Sequence, residues 1–174
     1  LSIYLNQKKK QKMKKILSYL LIVIFSISII NAQNLPSVNV KTLDREVFNI
    51  QDIENNGAPI VISFWATWCK PCIKELNNIA EVYEDWQEKT NVKVIAVSID
   101  DSRNLSKVSP KVNSLDWEYE VYLDPNKDLA RAMGVSNVPH TFLLNGKKEI
   151  VWQHKSYKEG DEEKLLLEIK KIAN

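Results

Sequence analysis

Two cysteines, the only ones in 174 residues, stand in the run Trp68-Cys69-Lys70-Pro71-Cys72. A Cys-x-x-Cys pair is suited to dithiol–disulfide exchange, in which one thiolate attacks a disulfide sulfur and its neighbour resolves the mixed disulfide. The flanking residues say where the pair sits. Pro59-Ile60-Val61-Ile62-Ser63-Phe64-Trp65 is short, apolar and rich in β-branched and aromatic side chains, which predicts a buried strand. After Cys72, apolar residues recur at Ile73, Leu76, Ile79 and Ala80, Tyr83 and Trp86, which is helical spacing. Cys69 therefore falls where a helix starts, and free backbone N–H groups with the helix dipole stabilise a thiolate there. Pro71 suits the first turn, where its missing N–H is not needed.

Two other uses of the pair fit less well. A structural disulfide across two intervening residues closes too small a loop to restrict the unfolded chain much. A zinc site needs two further ligands, and His140 and His154 do not stand in ligand spacing.

Phe64-Trp65-Ala66-Thr67-Trp68-Cys69-Lys70-Pro71-Cys72 forms one distinctive block. Asp124-Pro125, Ala130-Arg131-Ala132-Met133-Gly134-Val135 and Val138-Pro139-His140-Thr141-Phe142-Leu143-Leu144 form another. On these residues the chain resembles the thioredoxin superfamily, and within it the TlpA/ResA-type periplasmic thiol–disulfide oxidoreductases, over roughly Val38 to Ile172. The resemblance implies an α/β, thioredoxin-like fold: a central mixed sheet flanked by helices, with an N-terminal β-hairpin extension. It implies Cys69 as nucleophile, Cys72 as the resolving cysteine, and a cis peptide bond at Pro139 facing them. It further implies that the Val138 backbone pairs with an extended substrate strand, and that Trp68, beside Pro71, lies at an exposed rim where a partner docks.

Two positions depart from one or another branch of that superfamily. Thioredoxin has a buried aspartate six residues before the first cysteine, and here Ser63 stands there, which cannot accept a proton as a carboxylate does. The TlpA/ResA type carries a glutamate three residues after the second cysteine, and Glu75 occupies that place, one helical turn from Cys72. Glu75 is then either a group that tunes the pair and moves its proton or a solvated helix carboxylate. His140 replaces the usual threonine after the proline. It either stabilises the thiolate and titrates near neutral pH, or is a plain surface or core histidine.

The remaining elements follow from pattern. Val38–Val40 and Val47–Ile50, with a turn at Asp44-Arg45, predict the N-terminal hairpin, and Asn56-Gly57-Ala58-Pro59 a turn into the first core strand. The helix after Cys72 is expected to run to about Glu88. Val92–Asp100 reads as a second buried strand, and the helix joining the two makes a parallel βαβ unit. Asp101–Leu115 is read as a helix interrupted near Pro110, Tyr119–Leu123 as an edge strand, and Asn126–Met133 as a short helix ending at Gly134. Thr141–Leu144 and Glu149–Gln153 flank Asn145-Gly146-Lys147-Lys148, a hairpin signal. Asp161 is expected to cap a last helix that buries Leu165, Leu166, Ile169 and Ile172. Among the five tryptophans, Trp65 and Trp86 are assigned to the core, with core packing as the default for Trp117 and Trp152.

Residues 1–32 read as upstream sequence plus a leader, and 33–174 as the thioredoxin-like domain. Six lysines between Lys8 and Lys15 precede the apolar run Ile16–Ile30, and Asn31-Ala32-Gln33 follow, which is the layout of a secretory signal peptide. The run is shorter than the roughly 20 residues of a membrane span. Bulky Ile30 near the cut leaves an uncleaved, periplasm-facing anchor as the alternative. Met13-Lys14-Lys15 is a natural start, which makes residues 1–12 upstream sequence.

The leader also carries the chain's positive balance. The whole chain has 24 basic and 22 acidic side chains; with the six leader lysines removed, 18 basic face 22 acidic, a net of −4. Nucleic acid is therefore not an expected partner. About 140 residues suffice for one domain with a real core.

The function expected is a periplasmic thiol–disulfide oxidoreductase, monomeric and working mainly as a reductase, with no organic cofactor and no metal. Its partners are disulfide-containing exported proteins, apocytochrome c among them in this family, and a membrane electron donor of the DsbD/CcdA kind. A DsbA-like oxidant uses the same two cysteines and stays open as the alternative. A peroxidase needs a proline and a hydroxyl where Ile62 and Ala66 stand. A copper chaperone of the Sco kind needs one more residue between the cysteines and a distal histidine, for which His140 is the candidate.

Overall fold

A computed structural model describes residues 10, 12–14 and 33–173. The chain divides into two units, Leu1–Asn31 and Ala32–Asn174, and the strands and helices named below belong to the second. The leader expected over residues 1–32 lies outside the described residues, apart from residues 10 and 12–14, which are helical. Among the described residues no helix is long and apolar enough to cross a membrane. The run Ile16–Ile30 is not among them.

Among the described residues seven strands form one sheet: β1 (Asn39–Thr42), β2 (Val47–Asn49), β3 (Ile60–Trp65), β4 (Lys93–Ser98), β5 (Glu120–Leu123), β6 (His140–Leu144) and β7 (Ile150–Lys155). The helices are α1 (Lys70–Thr90), α2 (Val108–Asn113), α3 (Asp128–Ala132) and α4 (Asp161–Ile172), with short 3-10 turns at Ile50–Asp52 and Leu105–Lys107. The strand order is β2-β1-β5-β4-β3-β6-β7. β4 lies parallel to β3 and to β5, and every other pairing is antiparallel.

β3 is central, and all six of its residues are buried. That explains its unbroken apolar reading: a strand covered on both faces has no solvent face to mark with polar residues. α1 buries the stripe Leu76, Ile79, Tyr83 and Trp86. Each such side chain contributes roughly 1.5–3 kcal/mol on leaving water. The helix ends at Asn91, a left-handed residue whose N–H returns to the Gln87 carbonyl.

The hairpin, the first core strand and the βαβ unit stand where the pattern put them. Three readings change. β5 is not an edge, because the N-terminal hairpin reaches across the sheet and pairs β1 with it, Lys41 opposite Leu123 and Thr42 opposite Tyr122. The segment from Asp101 opens as turns and a 3-10 stretch, and true helix begins only at Val108, with Pro110 in its first turn where no N–H is lost. Gly160, at φ 93°, caps α4, so Asp161 is its first helical residue.

The hairpin loop of β6 and β7 is built by Asn145, whose Oδ1 accepts from the N–H groups of Lys147 and Glu149. Gly146 is required by its surroundings: a Cβ there would lie 1.9 Å from the carbonyl oxygen of Gly57. Two Asn-Gly turns far apart in sequence thus meet backbone to backbone at the same end of the sheet, where the start of β3 lies beside the end of β6.

Candidate functional site

Ala66–Cys69 link β3 to α1. The Cys69 N–H donates to the Ala66 carbonyl (3.0 Å), a tight turn that leaves Cys69 as the N-cap of α1. Its sulfur accepts from the Cys72 N–H at 3.3 Å. That donor, at the positive end of a 21-residue helix, would meet a thiolate at Cys69 once the pair is reduced. In the structure Cys69 and Cys72 are joined as a disulfide. Cys72 is fully buried and Cys69 only 5 % exposed, whereas Trp68 is 60 % exposed and Pro71 lies on the surface beside it.

β6 runs antiparallel to β3 with His140 opposite Phe64. Val138 and Pro139 therefore emerge at the same end of the sheet as the Ala66–Cys69 turn. The Val138–Pro139 bond is cis, and the Pro139 carbonyl accepts from Ser156.

Glu75 is not solvated. It is 4 % exposed, on the face of α1 that meets the sheet. The Thr141 hydroxyl donates to its Oε1 at 2.6 Å and lies 3.1 Å from Ser63 Oγ. Because the single Thr141 proton goes to Glu75, Ser63 is the donor to Thr141. Ser63 and Thr141 face each other across β3 and β6, so the serine at the departing position holds the threonine that holds the glutamate. Burial pushes the Glu75 carboxyl from the ordinary 4.5 up to about 7; the Thr141 bond opposes this, and the charges of Asp161 and Glu162 add to it. Its Oε2 is buried without a hydrogen-bond partner among the described residues.

His140 lands elsewhere. Side chains alternate along a strand, so His140 and Phe64 point away from the face that carries Ser63, Thr141 and Glu75. The ring stacks on Phe142, with centroids 4.2 Å apart. Its Nε2 donates to Gln153 Oε1 (3.0 Å), and burial lowers its pKa, favouring the neutral ring. It is a core histidine in this fold. Among the described residues no three His, Cys, Asp or Glu side chains gather to hold a metal ion.

Trp65 and Trp86 are in the core, Trp117 is buried edge-on against Trp65 and donates to Asn77, and Trp152 is half-buried beside His154. Two residues near the disulfide carried no individual signal in the sequence. Thr141 is one. The other is Asp100, a wholly buried carboxylate just past β4 that accepts both the N–H and the hydroxyl of Thr67. The available hint was positional, since sites in open parallel sheets gather at the carboxyl ends of the strands, and β3 and β4 both end here. A polar cavity of about 450 Å³, lined by Asn55, Tyr83, Gln87, Asn91, Glu118 and Glu120, lies at the opposite ends of those strands and is separate from the disulfide.

Residues 32–153 match the AhpC/TSA family. The chain is 29 % identical over 138 residues to thiol-disulfide oxidoreductase ResA of Bacillus thuringiensis subsp. konkukian, covering 79 % of this chain and 76 % of that one. Among solved structures it resembles an uncharacterized thioredoxin-like protein from Porphyromonas gingivalis, at 45 % identity and a TM-score of 0.72, over 80 % of this chain and 91 % of the other. StoA from Bacillus subtilis is similar at 26 % identity and a TM-score of 0.60, over 76 % of this chain and 99 % of StoA.

Proposed function

This chain belongs to the AhpC/TSA family, and we propose that within it this thiol–disulfide oxidoreductase of the ResA type works as a reductase of disulfides in exported proteins. The observation that carries the reading is the Cys69–Cys72 disulfide closed at the N-terminus of α1, with buried Glu75 one turn further along.

The reduced enzyme begins with Cys69 as thiolate, supported by the Cys72 N–H and the helix dipole. That thiolate attacks one sulfur of a substrate disulfide, forming a Cys69–substrate bond and releasing the other sulfur as thiolate. The Cys72 thiol gives its proton to Glu75, directly or through one water. The Cys72 thiolate then attacks the Cys69 sulfur, closing the Cys69–Cys72 bond and releasing the second substrate thiolate. Two electrons pass from the pair to the substrate. A carboxyl pushed up to about 7 suits the acceptor role, since it changes protonation state near neutral pH.

Trp68 and Pro71 offer the exposed apolar rim on which a partner settles, and Val138 with Pro139 holds an extended substrate segment beside the pair. His140 contributes through β6 packing rather than by facing the sulfurs. The protein is exported by its N-terminal leader, with a periplasm-facing anchor as the alternative, and acts as a monomer. An oxidising compartment supplies no electrons, so a membrane donor of the DsbD/CcdA kind recharges the pair. The apocytochrome c haem-binding cysteines are the substrate class the family suggests.

The test is the reduction potential of the pair, by equilibration with glutathione or dithiothreitol. A value near about −270 mV is expected for a reductase, and one near about −120 mV would make the protein an oxidant of the DsbA kind.

A further inference from the structure

We propose that Asp100 is a positioning residue for Cys69, acting through Thr67 to hold the turn that presents Trp68 and the nucleophile. This deepens the oxidoreductase reading and rests on it.

Asp100 is wholly buried two residues past the end of β4. Its Oδ2 accepts from the Thr67 N–H at 2.8 Å and from the Ser98 hydroxyl at 2.9 Å, and its Oδ1 accepts from the Thr67 hydroxyl at 2.7 Å. The Asp100 N–H in turn donates to Ser98 Oγ at 3.1 Å. No lysine, arginine or histidine is among these partners. A buried carboxylate without a cation is expensive, and its donors must offset the lost hydration. Thr67 supplies two of the three side-chain contacts as a fork, and an acceptor-only group with two oxygens fits that fork.

What the fork holds is the short strand-to-helix junction. β3 fixes the chain up to Trp65, and α1 fixes it from Lys70. Between them Trp68 is 60 % exposed, so packing does little to locate it. The Cys69 N–H to Ala66 bond closes the turn, and among the described residues' bonds Thr67 is the one member of that turn bonded outward to the neighbouring strand's end. Freed from Asp100, the turn can rotate about its ends and carry the Cys69 sulfur off the Cys72 N–H, which is the donor that stabilises the thiolate.

The experiment follows Cys69 alkylation by iodoacetamide against pH in the reduced full-length chain. Glu75→Gln is built into every protein compared, so that this carboxyl does not titrate in the same window. Asp100→Ala should raise the apparent Cys69 pKa by about one unit, leaving about tenfold less thiolate at pH values below it. Asp100→Asn should prevent that rise: its amide oxygen still accepts from the Thr67 N–H, and its NH₂ faces the Thr67 hydroxyl oxygen. A pKa unchanged in Asp100→Ala, with only a lower Tm, would make the residue merely structural and overturn the proposal. A fall would overturn it too, because losing a nearby negative charge by itself lowers a thiol pKa.

Should Asp100→Ala fail to fold, Thr67→Val replaces it. That variant keeps the shape and the backbone bond and loses only the hydroxyl, and its Cys69 pKa must also rise for the proposal to stand. Disulfide reduction by the unsubstituted chain is measured in parallel. Failure there refutes the oxidoreductase reading, whereas the alkylation profiles judge Asp100 alone.

Discussion

Replacing Glu75 with glutamine isolates the cost of burying a carboxylate beside the cysteine pair. The carboxyl is pushed from 4.5 to about 7 because the fold removes it from water, and a rise of that size corresponds to about 3 kcal/mol between the two protonation states. The sign follows from proton binding. Between pH 4.5 and 7 the folded chain holds a proton on Glu75 that the unfolded chain has released, so wild-type stability falls as pH rises through that window. Below it, Glu75 is neutral in both states and the contribution is fully present. Glutamine has nothing to ionise, and its amide oxygen still accepts from the Thr141 hydroxyl that now bonds Oε1 at 2.6 Å. Urea melts of the oxidised proteins from pH 4 to 9 should therefore give curves that coincide near pH 4 and separate above it. By pH 8 the variant should be the more stable by about 3 kcal/mol, or about 6–12 °C in Tm at 2–4 °C per kcal/mol. A difference that stays flat across pH, or one that favours the wild type at pH 8, would refute the assignment of a buried, neutralised carboxyl. The same variant should resolve mixed disulfides more slowly at neutral pH, by about 10²-fold, the lower end of general-base contributions.

Cys72→Ser should accumulate a covalent adduct with a disulfide-bearing substrate, seen as a mass gain that dithiothreitol removes. Cys69→Ser should give none, because Cys72 is fully buried; an adduct with Cys69→Ser and none with Cys72→Ser would reverse the roles. Gly146→Ala should cost about 1–3 kcal/mol by thermal or urea melt, the usual range for forcing extra volume into a packed site, since its Cβ would lie 1.9 Å from the Gly57 oxygen. A Tm equal to wild type would show that the two turns do not interlock. Asp161 is held down to about 2, by its hydrogen bond with Lys164 above all, so it contributes stability above about pH 4 that disappears as pH falls through 2. Asp161→Asn should lower Tm at pH 7 and match the wild type at pH 2; an equal loss at both would mean the charge is not the cause.

The short-range features of the site were legible before any fold was known. β3 announces itself as an apolar β-branched run, and α1 as a stripe at helical spacing, because both are buried against the same core. A helix start at Cys69 follows from those two readings alone. β5 looked like an edge because its partner β1 lies some 80 residues earlier in the chain, and local pattern carries no information on which strand arrives beside it. Asp161 looked like a cap because the residue type fits, yet the left-handed position fell to Gly160, which pays no Cβ penalty there.

The sequence by itself determined the chemistry: two sulfurs at a strand-to-helix junction can exchange disulfides, whatever surrounds them. It also marked Glu75, one helical turn from Cys72, and His140, directly after Pro139, with solvated or structural readings open for each. Only the tertiary structure placed the two side chains. Glu75 is buried because α1 lays that face on β3 and β6, where Thr141 and Ser63 meet it. His140, one residue from Thr141, faces the other side because successive strand residues point to opposite faces. Asp100 acquires its role for the same kind of reason. Its bond to Thr67 spans 33 residues, and the parallel pairing of β3 with β4, set by the whole core, brings those two strand ends together.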